Sequence, residues 1–116
     1  MKSNHMKDIV YLRELNHIAA TAGMNFAGMR EGGLSDEVKR LAGEVADAAM
    51  TFSRTLENGD PENVREKAKD EFIMLLGAAG NHAENHNVPE LYGQVSLTVR
   101  AIEALNNELF ESRGTA

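Results

Sequence analysis

Apolar residues return along this chain in steps of three and four, and the stretches carrying that pattern are separated by glycine, asparagine and proline. Tyr11, Leu15, Ile18, Ala22, Phe26 and Met29 fall on one face of a helix predicted over 8–30. Val38, Leu41, Val45, Ala48, Phe52 and Leu56 make the stripe of a second helix over 36–57. Val64, Ala68, Phe72, Leu75, Leu76, Ala79 and Ala83 mark a third over 61–86. A fourth, over 89–111, carries Leu91 or Tyr92, then Val95, Val99, Ile102, Leu105 and Leu109. The β-branched residues never alternate as a strand requires.

The breaks have their own chemistry. Gly32-Gly33 ends the first helix, because glycine takes the left-handed conformation at little cost. Ser35 suits an N-cap, and Asp36 and Glu37 then meet the positive end of the second helix. Asn58-Gly59 closes that helix, and Asp60 as cap with Pro61 in the first turn opens the third. Val88, held out of the helical region by Pro89, separates the third from the fourth. Each helix is about 30 to 37 Å long at the usual rise per residue. Connections this short make successive helices antiparallel neighbours. The expectation is an all-α, antiparallel four-helix bundle forming a single domain over 6–113, with an intertwined dimer of helical hairpins as the competing architecture. Residues 1–5 read as the remnant of an expression tag.

Composition narrows the function. The 116 residues are 42% hydrophobic and 26% charged, which suits a folded domain. No cysteine is present, so disulfides, thiol nucleophiles and thiolate metal sites are excluded. The net charge of -6 argues against a duplex nucleic-acid partner, which needs a basic face. No apolar run is long enough for a membrane span and no secretory signal opens the chain, so a cytoplasmic location is expected. Met24, Met29, Met50 and Met74 recur at helical spacing and are expected to fill the core. Large residues are few and alanines many, and a core that thin gains from self-association; a homodimer is expected.

Two groups of side chains have the right types for chemistry. His82 and His86 are four residues apart on one helical face and suit a transition metal, with Glu90, or Asp36 and Glu37, as further ligands. Glu44 and Asp47 on the second helix, with Glu66, Asp70 and Glu71 on the third, supply oxygen donors of the kind Mg²⁺ prefers. Ser35, Ser53 and Ser96 lack the setting of a nucleophile, and no glycine-rich phosphate loop follows a strand.

The acidic segments carry a resemblance. Leu41-Ala42-Gly43-Glu44-Val45-Ala46-Asp47-Ala48-Ala49 resembles the first acidic motif of MazG-like nucleotide pyrophosphohydrolases. Lys67-Ala68-Lys69-Asp70-Glu71-Phe72-Ile73-Met74-Leu75-Leu76 resembles the second. Gly43 stands where that family has its first Glu, Asp47 where it has its third, and Lys67 where it opens the second motif with Glu. The resemblance implies an all-α oligomer acting on nucleoside triphosphates, with Mg²⁺ held by Glu44, Asp47 and Asp70. Taken without it, the residues form no complete catalytic set and require no cofactor. They point instead to an acidic, non-catalytic helical protein of the inhibitor, antitoxin, immunity or adaptor kind, acting on a protein partner.

Overall fold

Four helices form in the order the stripes predict: α1 Lys2–Arg30, α2 Asp36–Glu57, α3 Glu62–Asn85 and α4 Pro89–Gly114. The computed structural model describes residues 2–31 and 33–114, with side chains over 9–31 and 33–108. Helix α1 begins six residues before the expected start, since no glycine or proline interrupts the chain ahead of Asp8. Gly32, expected to stop α1, lies outside the described residues, as does the side chain of Leu109.

The caps explain the ends. The Ser35 hydroxyl accepts from the Val38 amide at 3.3 Å, satisfying one free donor of α2. At the other end Gly59 takes a φ of 66°. Its N–H then donates to the Leu56 carbonyl and that of Asp60 to Thr55, the paired closure of a Schellman turn. Helix α3 ends the same way with Asn87, φ 53°, in glycine's place and the Val88 amide donating to Ala83. The start of α3 differs by one residue from expectation. Pro61, in extended conformation, is itself the cap, and its carbonyl accepts from Val64 and Arg65.

Helix α1 packs on α2 and α4, and α3 packs on the same two, which closes an antiparallel ring. The most extensive contact joins α1 to α2. Ala19, Ala22 and Gly23 of α1 are buried there, as are Ala42, Gly43, Ala46 and Ala49 of α2. Gly23 makes room for Met50, whose Sδ would lie 2.5 Å from a Cβ at that position. Reciprocally, Arg30 lies across Gly43, its Cδ 3.1 Å from where a Cβ would be. A buried polar link also crosses the seam: the Ser53 hydroxyl donates to the Asn16 side-chain carbonyl.

The larger core residues, Phe26, Phe52, Phe72, Leu76 and Leu91, fill the centre. Each contributes about 1.5–3 kcal/mol relative to an exposed position. Phe52 and Phe72 join α2 to α3 with ring centroids 6.2 Å apart. Of Leu91 or Tyr92, Leu91 takes the inward position and Tyr92 is half exposed. Two expectations need correction: Val64 is exposed on the first turn of α3, and Met24, Met50 and Met74 are not core filler, whereas Met29 is half-buried against the core. Met24 and Met74 are 66% and 65% exposed, because each sits on the side of its helix turned from the ring.

Glycines separate by role. Gly59→Ala is expected to cost about 1–2 kcal/mol, since alanine resists the left-handed conformation. Gly28 meets nothing within 4 Å, so Gly28→Ala should gain roughly 0.5–1 kcal/mol. Urea denaturation of the two variants beside the parent measures both signs.

Candidate functional site

Two clusters place the residues that chemistry singled out. The first lies at the end of the ring where α2 begins and α3 finishes. The rings of His82 and His86 stack there with centroids 4.3 Å apart and planes 29° from parallel. A shared ion needs nitrogen lone pairs that converge at about 2.0–2.1 Å, whereas the lone pairs of these rings lie in two nearly parallel planes. Glu37 feels the field of both rings, yet its carboxylate is already taken by Arg40.

That arginine also reaches forward to Glu44, 3.1 Å from Nη1, so Glu37, Arg40 and Glu44 form one network along an exposed face of α2. The hydrogen bond from Arg40 holds the Glu37 carboxyl below the ordinary carboxylate range, with smaller help from the charges of Arg40, His82 and His86. The same partnership raises Arg40. Asp36 and Glu90 are exposed at the starts of α2 and α4.

The second cluster is a groove of about 310 Å³ between α2 and α3. Ala48, Ala68 and Leu75 contribute apolar contact, Thr51 a hydroxyl, and Glu44, Asp47 and Glu71 carboxylates. Of the residues matched to the MazG-like motifs, the groove therefore brings Glu44 and Asp47 together. Asp70 and Lys67 are exposed and do not line it. The α3 carboxylate lining the groove is Glu71, which the sequence named among the oxygen donors but which the resemblance left out of the Mg²⁺ set. Its signal was available: Ala68, Glu71 and Leu75 fall three and four residues apart, on one face. Glu66, the remaining α3 acid among the candidate oxygen donors, pairs with Lys69 at 3.6 Å.

Glu44 is held by Arg40, Asp47 lies 3.9 Å from Arg30, and the described residues contain no group of three or more ligands arranged around an ion. The serines are structural: Ser35 caps α2 and Ser53 bridges to Asn16. No described helix is long and apolar enough to cross a membrane.

Comparison with known proteins adds no parentage, since no protein-family model, curated protein or solved structure matches the chain.

The lowered Glu37 carboxyl has a definite pH signature. Its pairing is complete above the ordinary carboxylate value and is lost as pH falls through the lowered value. In an NMR titration the Glu37 carboxyl should therefore have a midpoint below the ordinary glutamate value. Arg40→Gln should move it upward, and an unchanged midpoint in that variant would refute the assignment.

Proposed function

We propose that the protein works without catalysis, by binding other protein chains, and that a second copy of itself is the first of these. The observation that carries the reading is surface left uncovered. The chain keeps 7502 Å² accessible. A compact monomer of 12.7 kDa has about 6,200 Å² by the usual size scaling. The surplus of about 1,300 Å² exceeds the roughly 800 Å² that each partner gives to a standard interface.

Charge says where the copies meet. At a net charge of -6 most faces repel their own image. Between Leu91 and Val99 helix α4 carries no charged residue. Its outer side presents Tyr92, 50% exposed, and Leu97, 66% exposed, around a shallow depression that includes Gly93 and Ser96. An aromatic and an aliphatic anchor beside small residues suit close approach of a second helix. A surface of this kind suits an inhibitor, antitoxin, immunity or adaptor role.

Sedimentation velocity checks the assembly. The parent should sediment at twice 12.7 kDa at micromolar concentration, and the double variant Tyr92→Lys, Leu97→Lys as a folded monomer. A monomeric parent, or a dimer that survives both lysines, would overturn the reading.

A divergent MazG-like nucleotide-binding protein is the second reading, favoured by the meeting of Glu44, Asp47 and Glu71 across α2 and α3. A metal there would compete with Arg40 for Glu44 and with Arg30 for Asp47. Nucleoside triphosphates with Mg²⁺ should leave the melting temperature unchanged. A rise abolished by Asp47→Asn would reverse the order of the two readings.

A further inference from the structure

The four helices do not close completely on one another. Between them lies a hollow of about 210 Å³, to which every helix contributes. Leu15 of α1, Phe52 of α2 and Phe72 of α3 are buried around it, and Ile102 of α4 completes the apolar wall. At its edge the Tyr11 hydroxyl donates to the Asn106 side-chain carbonyl at 2.9 Å. Among the described residues this is the one side-chain hydrogen bond joining α1 to α4. Lys69 also borders the hollow, but its ammonium is directed to Glu66 at 3.6 Å, so it offers its methylene stem and no free charge.

We infer that this hollow binds a small neutral molecule, one ring in size, whose apolar body rests between Phe52 and Phe72 and whose single hydroxyl meets Tyr11 and Asn106. Size sets the first limit. An apolar protein cavity of about 150 Å³ admits benzene, whereas drug-sized ligands occupy about 300 Å³ or more. The hollow takes one ring with a substituent and excludes a nucleotide or a peptide. The walls set the second limit, because apolar surfaces give water too few partners to hold it. The rim sets the third. The Tyr11 oxygen, while donating to Asn106, keeps lone pairs to accept with, and the Asn106 amide has N–H groups to give. A hydroxyl accepts from one and donates to the other. A carboxylate would enter a site with no unpaired cation, which disfavours anions.

The test is an NMR titration of the full chain with p-cresol and, separately, toluene. Both should saturate, with intermolecular NOEs to the rings of Phe52 and Phe72. p-Cresol should bind about fivefold more tightly, the worth of one neutral hydrogen bond. Removing both rim groups, Tyr11→Phe with Asn106→Leu, should erase that difference and leave toluene binding intact. Ile102→Phe fills the hollow, so the variant should stay folded and bind neither compound. Absence of saturable binding by the parent, or NOEs to other residues alone, would overturn the inference. So would binding undiminished in a folded Ile102→Phe. The NOEs locate the ligand even where that variant fails to fold.

Discussion

Everything in this fold depends on how closely α1 and α2 approach. Alanines and glycines line their contact, and two long side chains lie across the glycines in opposite directions, Met50 over Gly23 and Arg30 over Gly43. Short side chains bury little area each, so the seam derives its strength from many close contacts. It also fixes how the other helices are placed. Helix α2, buried on one side by α1, offers its other side to α3 through Phe52 and Phe72. Helix α4 then closes the ring against α1 and α3, burying Leu91 and Val95.

A core built this way is economical in volume and leaves much outside. The molecule measures 50 × 29 × 19 Å, longer and flatter than a compact domain of this size. The same shortage of large side chains accounts for the exposed apolar residues on α4 and for the gap between the four helices. Large residues meet from α1, α2 and α3, but Ile102 faces them from a helix that is only partly buried. External surface and internal hollow thus have one cause.

The polar residues also look different once their partners are known. Glu37 and Glu44, attractive as ligands when considered alone, neutralise Arg40 between them. Exposed pairs of this kind are worth little to stability, and their effect is to occupy the carboxylates and direct them along α2. His82 and His86 share a face, as their spacing requires, but stack on each other.

The chain by itself determined the helices and their ends, because periodicity, capping and left-handed turn residues are local: Ser35, Gly59 and Asn87 act within a few residues of where they stand. The inward stripes of α1 and α2 were legible for the same reason. Local pattern could not say how wide an arc each helix buries, since that depends on how many neighbours it has. Hence Ala42, Ala46 and Ala49 of α2 are core while Val64 and Met74 are not. Asp70 and Glu71, adjacent residues separated by a 100° turn of the helix, were by contrast distinguishable from the spacing of Ala68, Glu71 and Leu75. The pairing of Tyr11 with Asn106 joins opposite ends of the chain. Only the tertiary structure decided it, because it follows from helices returning antiparallel to one another and from nothing near either residue in sequence.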